Sequence, residues 1–140
     1  MDYTFSKEER LCSRKLIDRL YAEGSRLMAF PWSVQWMQND NPEAPRCQVL
    51  IVAPKRKFHH AVDRNRVKRL TRECYRLRKS VLYDYLAAHE RRIVFSMVYV
   101  HNEILSFEQL GNKMDKLLLA LEKEMDLRES GVNPARKEKT

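Results

Sequence analysis

Ala61-Val62-Asp63-Arg64-Asn65-Arg66-Val67-Lys68-Arg69-Leu70-Thr71-Arg72-Glu73 is the stretch on which the reading of this chain turns. At about 100° per residue, Val67, Leu70, Cys74, Leu77 and Val81 share one arc, while Arg64, Lys68, Arg69, Arg72, Arg76 and Lys79 share the opposite one. The spacing predicts a single long helix over 61–89, held down by an apolar stripe and presenting guanidinium groups outward. Arginine suits that face because its planar fork takes two phosphate oxygens at once, which a lysine point charge cannot do. Asn65 falls in the basic arc, where its amide can bond a base edge, a 2′-hydroxyl or a phosphate; the alternative for it is a helix-start cap. Arg66 falls at the edge of the apolar stripe, its stem along the core and its head reaching out.

Around this helix the charge is concentrated. The 140 residues carry 27 Lys and Arg against 19 Asp and Glu, a formal charge of +8. Residues 54–79 alone hold eleven bases and two acids, so one segment carries the whole excess and the remainder is close to neutral. Such a patch points to a polyanion. No apolar run approaches the ~18 residues a membrane span needs. The start of the chain, with acids at Asp2, Glu8 and Glu9, lacks the apolar core of a signal peptide. Cys12, Cys47 and Cys74 are odd in number and widely spaced, which fits reduced thiols and a cytoplasmic setting, not disulfides or structural zinc.

Flanking elements follow from periodicity. Leu16, Ile17, Leu20 and Tyr21 recur at helical spacing over 13–23, with Gly24 placed to stop the helix and Ser6 with Glu9 as a capping box. Phe30, Trp32, Val34 and Trp36 alternate with polar residues over 30–37, the signature of a strand. After the turn 39–45, a more continuously apolar strand over 47–53 suggests a hairpin with it. Residues 93–100 read as a buried strand. Ser106 with Gln109 opens a last helix to about 129, ended by Gly131 and Pro134, before a polar tail over 132–140 that reads as disordered. The order is α-β-β-α-β-α, a single α+β domain over 1–131 with helices packed on a small sheet.

The Ala-Val, Arg-Asn-Arg, Lys-Arg and Arg-Glu elements of the central stretch, at the spacing found here, resemble the signature of the protein subunit of bacterial ribonuclease P. Val52-Ala53-Pro54-Lys55-Arg56 looks like that family's strand end and paired bases, and Leu11, Ile17, Tyr21 and Gly24 resemble its first helix. Two departures stand out: Phe58-His59-His60 replaces a loop that usually carries glycine, and Ile17 replaces the first of two helix aromatics. The resemblance implies a two-layer α/β sandwich with a small mixed sheet and a left-handed β-α-β crossover, the ribosomal-protein domain-2-like fold. Periodicity alone favours the right-handed crossover.

The resemblance also implies a function: the small subunit of a ribonucleoprotein that removes 5′ leaders from precursor transfer RNA, with an RNA subunit as the catalyst. Magnesium is then held mainly by the RNA subunit and the substrate, and the protein has neither catalytic residues nor a metal site. The ribozyme-facing residues are Arg64, Asn65, Arg66, Lys68, Arg69 and Arg72. A leader-binding cleft is expected from Ile17 and Tyr21 beside Val34 and Trp36, with Lys55 and Arg56 at its mouth; core packing is the alternative for Tyr21 and for the face that Phe30, Trp32, Val34 and Trp36 share. The expected partners are the ribonuclease P RNA and precursor transfer RNA, with no membrane and no obligate protein partner. Alternatives read from the residues are another RNA-binding subunit, a DNA reader and a protein nuclease. The last needs converging carboxylates, but acids such as Glu122 and Asp126 are spread along helix faces.

Overall fold

The strand over residues 93–99 is apolar at every position but Ser96, so it needs a packed layer on each face and a strand on each edge. The structure, a computed structural model describing residues 5–129, provides both. Its elements are α1 (Arg14–Glu23), β1 (Ser25–Ala29), β2 (Trp32–Gln38), β3 (Cys47–Val52), α2 (Ala61–Ala88), β4 (Ile93–Tyr99) and α3 (Phe107–Glu129). One sheet has the order β1-β2-β4-β3, with β4 antiparallel to β2 and parallel to β3. Phe95 lies opposite Trp36 on one side and Val49 on the other.

Two expectations about the sheet are corrected. Ser25–Ala29 is an additional strand, so the order is α-β-β-β-α-β-α; its mixed, half-exposed composition gives little period-two signal. The strands β2 and β3 do not form a hairpin, because β4 lies between them. A connection over 39–46 can step across one intervening strand, since two strand spacings are only ~10 Å. The expected tail over 132–140 lies outside the described residues.

The two faces of the sheet carry different loads. Trp32, Val34, Trp36, Cys47, Val49, Phe95, Met97 and Tyr99 point to one face, where α2 and α3 pack through residues including Val67, Tyr75, Leu82, Leu86, Leu110, Met114, Leu117 and Leu121. On the other face, α1 packs Leu20, Leu16 and Ile17 onto Met37, Val94 and Leu50, adding a partial third layer. Gly24 ends α1 with ordinary φ; what demands glycine is space, since a Cβ would lie 2.4 Å from the Leu20 carbonyl oxygen.

The buried stripe of α2 is about a quarter turn from its expected position. Leu77 and Val81 are 41% and 60% exposed, whereas Thr71, Tyr75 and Lys79 are buried. Each of these three buried polar side chains has a partner. Trp32 Nε1 donates to Thr71 Oγ1 at 3.3 Å, and the Tyr75 hydroxyl lies 3.4 Å from Cys47 Sγ. Burial pushes the Cys47 thiol up to about 12. A hydropathy reading places such residues outside; paired, they belong inside.

Lys79 reaches its partner through the start of the chain. Leu11 N–H donates to the Val49 carbonyl at 2.9 Å and Arg10 bridges β3, so this segment covers the exposed edge of the sheet. Phe5 packs edge-on against Tyr75. The Ser6 and Glu9 capping box is real, but it closes a short turn over Lys7–Glu9; α1 is capped by Ser13, whose hydroxyl accepts Leu16 N–H. Glu9 Oε2 then meets Lys79 Nζ at 2.5 Å and accepts the Tyr83 hydroxyl at 3.0 Å. Both charged side chains are nearly enclosed, 12% and 6% exposed. Replacing one partner strands a buried charge, so Glu9→Gln is expected to lower unfolding free energy by about 3 kcal/mol in urea denaturation. Glu9→Gln combined with Lys79→Met is expected to cost less than the single change.

Candidate nucleic-acid interface

The turn before α2 is built on carbonyl contacts. Lys57 and Phe58 donate their N–H groups to the Pro54 carbonyl, and Phe58 packs against Tyr99. The Arg64 guanidinium donates to the Phe58 and His59 carbonyls at 2.8 and 2.9 Å, tying the loop to the helix. Lys57 Nζ donates to Asn102 Oδ1 at 3.1 Å. Lys55 and Arg56 stay exposed at the loop tip. One cation thus orders the loop that presents two others.

His60 occupies the cap position of α2, so Asn65 is not a cap; it stands exposed in the helix. Arg66 and Arg69 are exposed, and Lys68 and Arg72 half-buried. Among the described residues no ion pair engages Arg66, Lys68, Arg69 or Arg72. Beyond this point the basic run changes character. Arg76 grips Glu73 with two hydrogen bonds of 3.1 and 2.9 Å, holding the Glu73 carboxyl below the usual carboxylate range. Arg78 pairs with Asp115 of α3 at 3.0 Å, and Lys79 is enclosed with Glu9. The bases form three sets: Arg64 ties the loop to the helix, Arg66 to Arg72 carry no ion pair among the described residues, and Arg76, Arg78 and Lys79 are paired with carboxylates.

Around the edge of the sheet, Arg72 shares a cleft with Arg10, Phe5, Leu11 and Cys12 beside β3. On the α1 side, Ile17 is half-buried against the sheet and Tyr21, one turn later, is 43% exposed. The expected cleft partners on β2 require correction. Val34 and Trp36 are buried at 0% and 2% exposure and point to the opposite face, toward α2 and α3. Their alternation partners Ser33 and Gln35, with Ser96 and Val98 of β4 and Val52 of β3, line the α1 side. The strand pattern already carried this signal: its apolar parity marks the core face, leaving the polar parity for the cleft. The Ser96 hydroxyl is buried there without a hydrogen-bond partner among the described residues.

Carboxylates are dispersed. Asp18 and Glu23 pair with Arg14 and Arg19 along α1, and among the described residues no group of three or more His, Cys, Asp or Glu is arranged to hold a metal ion. With cations that carry no ion pair among the described residues on one helix and an adjoining basic loop, the fold is a small α+β protein with one basic face suited to a polyanion. A ribonuclease P family model matches residues 5–122. The chain belongs to the ribonuclease P protein family.

The ribonuclease P protein component of Porphyromonas gingivalis is 33% identical over 119 residues, covering 85% of this chain and 87% of that protein. A Chlorobaculum tepidum relative is 39% identical over 77 residues, 53% of this chain and 50% of its own length. The solved ribonuclease P protein of Thermotoga maritima superposes with a TM-score of 0.62 at 23% identity, covering 79% of this chain and 94% of that one. The Staphylococcus aureus ribonuclease P protein gives 0.55 at 17% identity, covering 81% and 94%. These two structures agree in fold.

The corrected faces make a direct stability contrast. Trp36→Ala is expected to cost about 3–5 kcal/mol in chemical denaturation, as a deleted core aromatic does. Ser33→Ala, on the cleft face, is expected to stay within about 1 kcal/mol of the parent.

Proposed function

We propose that this chain binds the ribonuclease P RNA through the outward face of α2 and the 5′ leader of precursor transfer RNA along the α1 side of the sheet. It is a ribonuclease P protein component, part of an endoribonuclease ribonucleoprotein that processes the 5′ end of transfer RNA. The observation that carries the binding assignment is the row of unpaired cations from Arg66 to Arg72, on a helix whose later cations are all engaged internally. Phosphate contacts from such a row give affinity and orientation without base specificity.

The leader is single-stranded, and single strands bind where a stacking surface lies beside cations. Tyr21 supplies the exposed ring, Ile17 the apolar contact beside it, and Lys55 and Arg56 the charge. Ser33, half-buried on the same side of the sheet, adds a hydrogen-bonding group. Bond cleavage belongs to the RNA subunit, which with the substrate holds the magnesium ions. The carboxylates of this chain do not offer a converging metal site among the described residues. Its contribution is cationic charge between two polyanions, which lowers the magnesium concentration needed for cleavage.

Reconstitution tests this reading. At low magnesium, precursor cleavage is expected from the RNA and protein together, and from neither protein alone nor RNA alone. Arg66→Ala and Arg69→Ala are each expected to weaken RNA binding and reduce the slope of log affinity against log salt by about 0.7–1. Cleavage by the protein alone, or an unchanged magnesium dependence on adding protein, would refute the assignment.

A further inference from the structure

The turn between β1 and β2 exposes a large aromatic that neither the helix face nor the leader trough uses. Phe30 is 46% exposed, and its peptide bond to Pro31 is cis. The His101 ring meets it edge-on with centroids 5.0 Å apart, and Lys113 Nζ lies 5.7 Å from its centroid. Phe30 forms one wall of a cleft of about 420 Å³ whose other walls are Leu105, Gln109, Asn112, Lys113 and Lys116. Gln109 spends its amide oxygen on the Ser106 N–H at 3.0 Å, which leaves its NH₂ group as a donor. Asn112, exposed on α3, offers both a donor and an acceptor.

We propose that this cleft takes an unpaired base of the ribonuclease P RNA. A proposal of this kind rests on the ribonucleoprotein reading above. Each part of a nucleotide finds its chemistry here: the Phe30 ring for stacking, the two amides for base edges, and Lys113 and Lys116 for the flanking phosphates. The ring face already attracts a cation, and the flexible Lys113 stem can carry its ammonium to a phosphate as the base settles. Glu108 lies one turn before Asn112, and Asp115, one turn after it, is paired with Arg78, so the two lysines set the charge of the cleft. Lys57, hydrogen-bonded to Asn102, extends the positive border beside His101. The RNA subunit is the partner, not the leader, because the cleft lies on α3, in the layer that also holds α2, while the leader trough lies across the sheet.

The test is equilibrium binding of the full-length protein to ribonuclease P RNA, followed by precursor binding to the reconstituted holoenzyme. Loss of one stacked base is expected to weaken RNA affinity about tenfold in Phe30→Ala and to be largely restored in Phe30→Trp. Lys116→Ala is expected to lower the salt slope by about 0.7–1. Asn112→Ala, a change on an exposed helix position, is expected to weaken binding severalfold and serves where Phe30→Ala loses stability. If the parent binds RNA and is sensitive to Arg66→Ala, yet Phe30→Ala and Asn112→Ala both bind as the parent does, the cleft proposal falls and the functional reading stands. Weakened precursor binding with unchanged RNA affinity overturns the choice of partner. If the parent itself does not bind the RNA, both readings fall.

Discussion

Central strand β4 is the constraint from which the rest of the architecture follows. Ile93, Val94, Phe95, Ser96 and Met97 are all buried, so the strand is covered on both faces while its two edges bond to β2 and β3. A parallel neighbour cannot be reached by a tight turn; it requires a crossover, and here the crossover is α2. The helix that carries the basic row is therefore also the one that the sheet cannot do without. Its inward arc is committed to Val67, Thr71, Tyr75 and Leu82, which leaves Asn65, Arg66 and Arg69 on the outside. The outward placement of these cations is a by-product of closing the sheet.

Charge on α2 has two fates, divided at Glu73. Before it, the helix cations lack carboxylate partners among the described residues; after it, Arg76, Arg78 and Lys79 each have one within 3.1 Å. The second set joins three separate parts of the chain: the start of the polypeptide through Glu9, α2 itself, and α3 through Asp115. A surface arginine pair contributes little to stability, but an enclosed pair such as Glu9 with Lys79 is costly to break. The result is a rigid support for an electrostatically unsatisfied surface.

A similar economy governs the two sides of β2. Trp32, Val34 and Trp36 fill the space between the sheet and its two long helices, while Ser33 and Gln35 face the α1 side. Arg128 covers the far end of that core, its guanidinium lying 5.3 Å from the Trp36 ring. The strand aromatics Trp32 and Trp36 are structural, and the exposed rings, Tyr21, Phe30 and Phe107, lie outside the strands. The distinction matters for function, since only an exposed ring can stack on a base.

By itself the sequence determined the basic helix, the buried strand over 93–100, the Ser106 and Gln109 start of the last helix, and the family motif from Ala61 to Glu73. All of these are local: periodicity, caps and residue spacing depend on neighbours within a few positions. It also marked Arg69 as outward-facing and Arg66 as an edge residue whose head reaches out. Only the tertiary structure decided that β4 separates β2 from β3, that Ser25–Ala29 adds an edge strand, and that Lys79 turns inward to Glu9. Likewise, it placed Val34 and Trp36 in the core and exposed Leu77 and Val81. These outcomes depend on pairings between residues as far as 70 positions apart, such as Glu9 with Lys79. A helix has no fixed inward face until a partner is chosen for it, and polar side chains such as Thr71, Tyr75 and Lys79 become core only when the fold brings their partners to them.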